Sequence, residues 1–118
     1  MQRARLPKHA KLLNAADFDR VFDKSVRSSD QYFTVLASPN NLEYPRLGMA
    51  ISKRRVKLSV IRNRLKRIVR ENFRLSQQNY NADYVVMAGK QGAIGTNQEL
   101  RESLEKHWGL LKKKCAIF

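Results

Sequence analysis

A chain of 118 residues with 42% hydrophobic positions has the size and composition of one globular domain, read as spanning 1–118. Its 24 Lys and Arg against 10 Asp and Glu leave a net charge of +14, which points to a polyanionic partner. No run approaches the roughly 20 apolar residues that cross a bilayer, and no apolar stretch with a small-residue cleavage site follows the basic start. The reading is therefore a soluble, cytoplasmic protein with no membrane contact. One cysteine, Cys115, excludes an internal disulfide and any multi-cysteine metal site, and His9 and His107 are too distant in sequence to suggest a metal cluster.

Residues 1–13 mix Arg3, Arg5, Lys8 and Lys11 with Pro7 and hold no sustained period, which reads as a basic arm able to be loose in isolation. From Asn14 the pattern becomes helical. Asn14 is placed to cap a helix over about 15–24, Asp17 sits where the helix dipole favours an acid, and Leu13 and Phe18 stand at hydrophobic-staple spacing. Phe18, Val21 and Phe22 form its apolar stripe, with two aromatic rings one turn apart. Residues 31–38 are rich in aromatic and β-branched types and end at Pro39-Asn40-Asn41, which reads as a strand entering a hairpin. The return run 46–52 alternates Leu47, Met49 and Ile51 with Gly48, Ala50 and Ser52, so one face is bulky and the other nearly bare, open to close approach.

A basic connection, 53–58, leads into the longest periodic segment, a helix over 59–77 with Ser59 as cap. Residues 83–88 read as a strand buried on both faces. After a loop over 89–95, Thr96 to Glu99 match a capping box, and Leu100, Leu104, Trp108 and Leu111 define a terminal helix ending in Lys112, Lys113 and Lys114. Trp108 reads as core, the three lysines as compensation of the helix dipole, and Cys115 and the two histidines as incidental.

On a helical wheel of 59–77, Ile61, Leu65, Ile68, Val69 and Phe73 fall in one sector, with Asn63, Lys66, Arg67, Arg70 and Arg74 opposite and Arg62 and Arg64 on the flanks. Like charges three and four residues apart destabilise an isolated helix by a few tenths of a kcal/mol per pair, a penalty that a polyanion removes. Arginine outnumbers lysine here, and its planar fork engages phosphate bidentately and stacks on bases, which suits folded nucleic acid. A solvated helix face is the bland alternative, but solubility calls for mixed signs and not a stripe of one sign.

Arg62-Asn63-Arg64-Leu65-Lys66-Arg67, continuing Ile68-Val69-Arg70-Glu71, resembles the RNR signature of the protein subunit of bacterial ribonuclease P. Arg46 to Arg54 resembles that family's strand and Ser-Lys-Lys loop, with Arg54 in place of a lysine. Asp17-Phe18 with Val21-Phe22 is similar to its first helix, and Asp83 to Val86 to its last strand, so the resemblance covers about residues 10–112. It implies an α/β fold, an α+β two-layer sandwich with a small mixed sheet of about four strands and three helices in the order α-β-β-β-α-β-α, and a left-handed βαβ crossover that holds the RNR helix.

The implied activity is hydrolysis of one phosphodiester of precursor tRNA to release the 5′ leader, with the catalytic RNA subunit performing the chemistry and Mg²⁺ held mainly on that RNA. The residues agree in a negative way, since the chain has no spaced carboxylate cluster for two-metal chemistry and no His pair for acid/base cleavage. No catalytic residue, protein-held metal or protein partner is expected. By resemblance Arg62, Asn63, Arg64, Lys66, Arg67 and Arg70 contact the catalytic RNA. Phe18, Phe22 and Phe33 with Lys53 and Arg54 form a cleft for the leader, in which stacking tolerates any sequence. The register of 31–38 is ambiguous by one residue, so Tyr32 or Val35 could take the place of Phe33. The alternative from another class is a structural ribosomal protein that binds ribosomal RNA; a protein-only nuclease and a DNA-binding module fit less well.

Overall fold

The computed structural model describes residues 8–12, 14–76 and 81–115, so the arm's residues 1–7, Leu13 and its staple contact lie outside the described residues. In chain order the elements are α1 (Ala15–Asp23), β1 (Val26–Ser29), β2 (Phe33–Pro39), β3 (Arg46–Ala50), α2 (Ser59–Leu75), β4 (Ala82–Ala88) and α3 (Asn97–Cys115), the α-β-β-β-α-β-α order of an α/β sandwich. Lys8–Ala10 form a short 3₁₀ turn, and Lys11 bridges in parallel to Leu47 while the Leu12 N–H donates to the Leu47 carbonyl at 2.9 Å. This end of the arm thus runs along the outer edge of β3.

The sheet order is β1-β2-β4-β3, antiparallel except for β3 beside β4. The hairpin expected between 31–38 and 46–52 does not form, because β4 inserts between those strands. The burial of β4 gives the reason: six of its seven residues are buried, so it needs a strand on each side and a layer on each face. The shorter β3, with its bare face, serves as an edge. The pairing that the turn signal at Pro39-Asn40-Asn41 suggested is replaced by the crossover β3-α2-β4, which two parallel neighbours require. The strand β1, Val-Arg-Ser-Ser, has no clear sequence pattern.

Alternation along the strands divides the side chains between two faces. Phe33, Val35, Ala37, Leu47, Tyr84 and Val86 face α2 and α3, where Leu65, Val69, Leu104 and Leu111 complete the main core. Phe73, Tyr84 and Trp108 pack edge to face there with centroids 5.6 to 5.7 Å apart, and the Trp108 indole donates to the Asn72 side chain at 2.7 Å. The other face carries a much smaller cluster of Leu12, Val21, Leu36 and Val85, flanked by Phe18, Ala50 and Met87. Here α1 lies on the sheet as a thin third layer, added to the two that the resemblance implies, because the buried β4 needs cover on both faces.

The local chemistry explains most helix ends. Asn14 Oδ1 accepts from the Asp17 N–H at 3.0 Å, and Thr96 and Glu99 exchange both bonds of a capping box at 2.9 and 3.1 Å. Ser59 is not a cap. Leu58 holds that position with no side-chain bond, and Arg62 instead reaches back to donate to the carbonyls of Val56 and Lys57.

Candidate nucleic-acid interface

On the α1 side, strand pairing arranges the sheet in three transverse rows, since residues that pair lie side by side and every second residue shares a face. The first row is Arg46, Asp83 and Ser38; the second is Gly48, Val85, Leu36 and Arg27; the third is Ala50, Met87, Thr34 and Ser29. In the second row Gly48, Val85 and Leu36 are buried by α1, whereas no residue of the third is fully buried. The third row is therefore the floor of an open groove along one flank of α1.

Helical spacing sets what α1 presents to each flank. Val21 points at the sheet and is fully buried, Asp17 and Arg20 lie on the side of the first row, and Phe18 and Phe22 lie on the side of the groove. The two rings are tilted neighbours with centroids 6.4 Å apart. Phe18 is half-buried, and its ring occupies the space a side chain at position 48 would need: a Cβ on Gly48 would stand 2.6 Å from the ring. The bare face of β3 is thus where Phe18 approaches. Phe22 is 47% exposed, which leaves ring surface accessible beside the third row. At the β3 end of the third row, Lys53, Arg54 and Arg55 form an exposed turn closed by the Val56 N–H on the Ser52 carbonyl.

Phe33 is not in this groove. It is wholly buried in the main core on the opposite face, as is Val35, and Tyr32 packs against that same core with its hydroxyl donating to Glu99 of α3 at 2.9 Å. The β2 contribution to the groove is Thr34, one residue along. A shift of one position changes the face, and the apolar pattern of 31–38 left that shift open.

The cationic helix lies across the sheet from the groove. Leu65, Ile68, Val69 and Phe73 are buried as the wheel indicates, while Asn63 and Arg67 are exposed and Lys66 and Arg70 half-exposed. No ion pair to Lys66, Arg67 or Arg70 forms among the described residues. The flanking arginines hold neighbouring backbone: Arg62 ties the segment before α2, and Arg64 donates to Asn97 Oδ1 at 3.2 Å and to the Gly95 carbonyl at 3.3 Å.

Two buried polar networks were not visible in sequence. Asp83 of the first row is fully buried: Oδ1 accepts from Asn40 at 3.0 Å and from Arg46 Nε at 2.7 Å, and Oδ2 accepts from Arg46 Nη2 at 2.6 Å and from Arg20. Burial alone would raise its pKa, but these bonds and the two guanidinium charges outweigh that and hold the carboxyl below its ordinary value. On the other face His107, read as incidental, is sealed inside: Nδ1 is 2.6 Å from Ser28 Oγ, and Nε2 is 3.3 Å from an Asp30 oxygen that also takes Ser103 and Lys106. A Ser-His-Asp arrangement invites a catalytic reading. Burial rules it out, since Ser28 is 5% exposed and His107 not at all, leaving a substrate no access. Burial lowers the His107 pKa against the opposing pull of Asp30. Cys115 is likewise a core residue.

No group of three or more His, Cys, Asp or Glu that could hold a metal ion occurs among the described residues, and Asp17 and Asp83, the carboxylates nearest α1's inner face, are engaged by arginines. No helix among them is long and apolar enough to cross a membrane.

A helix carrying a cationic stripe on one side of a small sheet, with an open aromatic-walled groove on the other, defines an RNA-binding α/β protein. Residues 6–112 match the ribonuclease P family. The chain is 44% identical over 111 residues to the ribonuclease P protein component of Methylococcus capsulatus, covering 93% of this chain and 87% of that one. It is 39% identical over 114 residues to that of Photobacterium profundum, covering 96% and 97%. Among solved structures it is similar to the RNase P protein of Staphylococcus aureus, with a TM-score of 0.79 and 28% identity over 86% of this chain and 94% of that one. It is also similar to the RNase P protein of Thermotoga maritima, with a TM-score of 0.73 and 31% identity over 87% and 96%. The chain belongs to the ribonuclease P protein family: it is the RNA-binding subunit of a ribonucleoprotein that matures tRNA 5′ ends, and its partner is the ribonuclease P RNA. Membership in this family decides against the ribosomal alternative.

Proposed function

We propose that the two sides of the sheet divide the work of binding. Arg62, Asn63, Arg64, Lys66, Arg67 and Arg70 engage the catalytic RNA, with Lys66, Arg67 and Arg70 supplying the phosphate contacts and Arg62 and Arg64 also fixing the loops around them. The groove takes the single-stranded 5′ leader of precursor tRNA. Phe22 and the edge of Phe18 offer surface for stacking, Lys53 and Arg54 hold the backbone, and Thr34, Met87 and Ala50 form the floor in place of Phe33. A floor of small and flexible side chains carries few hydrogen-bonding groups in fixed positions, which suits a protein that accepts many leader sequences.

The observation that carries this reading is Phe22, a half-exposed ring beside a row of the sheet that α1 covers only in part. No cluster of three or more metal-ligating side chains occurs among the described residues, and Asp17 and Asp83 on this side are engaged by arginines. The ion is assigned to the RNA, and the protein's part is to bind and orient. The reaction is assigned to the cytoplasm, where precursor tRNA is made.

The test is to add the purified chain to precursor tRNA at low Mg²⁺, alone and with a bacterial ribonuclease P RNA. Stimulated release of the 5′ leader only in the mixture supports the reading, and cleavage by the chain alone contradicts it.

A further inference from the structure

The groove depends on the rotation of α1 about its axis, and the apolar contacts that hold it are few: Val21 against the sheet and the half-buried Phe18 over Gly48. The helix has nine residues, below the length at which a helix is stable by itself, and Val21 is its one fully buried side chain. Its opposite flank is held by charge. Arg20 donates to Asp83, to the Pro39 carbonyl at 3.2 Å and to Ser38 Oγ at 3.4 Å; Arg46, bidentate on the same Asp83, also stands 3.5 Å from Asp17 one turn earlier on α1. Two points one helical turn apart are therefore keyed to a single buried carboxylate, and two contacts along a helix define its rotation as one would not.

From this geometry we infer that Asp83, with Arg20 and Arg46, is the positioning network of the leader groove: it sets the rotation of α1 that keeps Phe22 over the open row of the sheet. This rests on the proposed leader-binding role. Phe18 and Phe22 sit on the flank of α1 away from the network, so a rotation that leaves the network swings both rings relative to the sheet. A turn of about 20° carries a ring held roughly 6 Å from the helix axis by about 2 Å, which is enough to close a groove or withdraw a stacking surface. Asp83 touches no solvent, so it acts on RNA only through the residues it holds, Arg20 of α1 and Arg46 and Asn40 beside it.

The experiment uses holoenzyme reconstituted from the full chain and ribonuclease P RNA, with dissociation constants measured for precursor tRNA and for mature tRNA. Arg20→Met keeps the stem and removes the bond while leaving Arg46 and Asn40 on Asp83. It is expected to lower the precursor-to-mature affinity ratio by about fivefold or more, with affinity for mature tRNA and for the catalytic RNA unchanged, and Arg20→Lys is expected to restore part of the ratio. Asp83→Asn is expected to lower the ratio in the same way. Because Arg20 is partly exposed, that second variant separates positioning from direct contact: loss in Arg20→Met with none in folded Asp83→Asn would overturn the inference. A ratio unchanged in Arg20→Met while Phe22→Ala lowers it would overturn the inference and leave the leader groove standing. A ratio unchanged in Phe22→Ala would overturn both, and equal loss for both RNAs would reduce the network to a general support of the fold.

Discussion

The two faces of the sheet are built to different standards. Against α2 and α3 the sheet buries a continuous core that includes three mutually packed aromatic rings; against α1 the buried apolar cluster has four side chains, and one row is only partly covered. The first face needs hydrophobic burial to hold the domain together, while the second must keep apolar surface accessible and so relies on a buried ion network to hold its helix. Exposed aromatic surface is tolerable in a marginally stable domain only if stability is supplied elsewhere.

That contrast can be broken most forcefully from the thick side. Trp108→Ala is expected to cost about 3–5 kcal/mol in denaturant unfolding, from lost burial and the cavity left between α2 and α3. Phe22→Ala is expected to change stability by less than about 1 kcal/mol, while weakening precursor tRNA binding by about 1–3 kcal/mol if one base stacks on the ring. Comparable losses of stability in the two variants would erase the distinction between the faces.

A third expectation concerns the outer side of α2. Replacing Arg67 and Arg70 by alanine is expected to reduce the salt dependence of binding to the catalytic RNA by roughly one to two in slope, measured as log affinity against log salt concentration. An unchanged slope would remove this face from the phosphate backbone. The smallest expected effect is a pH dependence of the thick side. His107 titrates below its ordinary value near 6.5 when folded, so the folded state favours the neutral ring. The associated stability is present above about pH 6.5 and declines as pH falls below it. Asp30 adds to the decline at lower pH, because its bonds to the Phe33 and Tyr32 amides, Lys106 and Ser103 outweigh burial and depress its carboxyl. His107→Gln should flatten the curve between pH 7 and 5 in thermal melts, whatever it does to absolute stability.

The elements with strong periodicity were legible in the sequence. The α2 stripe, the doubly buried β4, the Asn14 cap and the Thr96-Glu99 capping box all follow from local pattern, since spacing alone dictates which side chains share a face. What pattern could not supply was pairing between distant segments. The insertion of β4 between β2 and β3 depends on which strand most needs two neighbours, a global property. The placement of Phe33 turned on a register of one residue, and the aromatic type that suggested a groove equally suits a core. The networks of Asp83 and His107 could not be assembled for the same reason: they are built by partners 37 to 79 residues away, such as Arg46, Asn40 and Ser28. A signal for Asp83 did exist, in an acid opening a strand otherwise apolar, because a carboxylate in a buried strand requires cationic or hydrogen-bonding company. Of the groove, the rings of α1 and the basic turn could be named from sequence, but the floor required the sheet.

Division of labour between the faces is tested most directly by one set of binding measurements at fixed salt: affinity for the catalytic RNA, and holoenzyme affinity for precursor and mature tRNA, with Phe22→Ala and with the Arg67, Arg70 double alanine variant. The expected result is a crossed pattern, in which Phe22→Ala weakens only precursor binding and the double variant weakens only assembly with the catalytic RNA. If each variant weakened both interactions alike, the two sides of the sheet would not be separate binding surfaces.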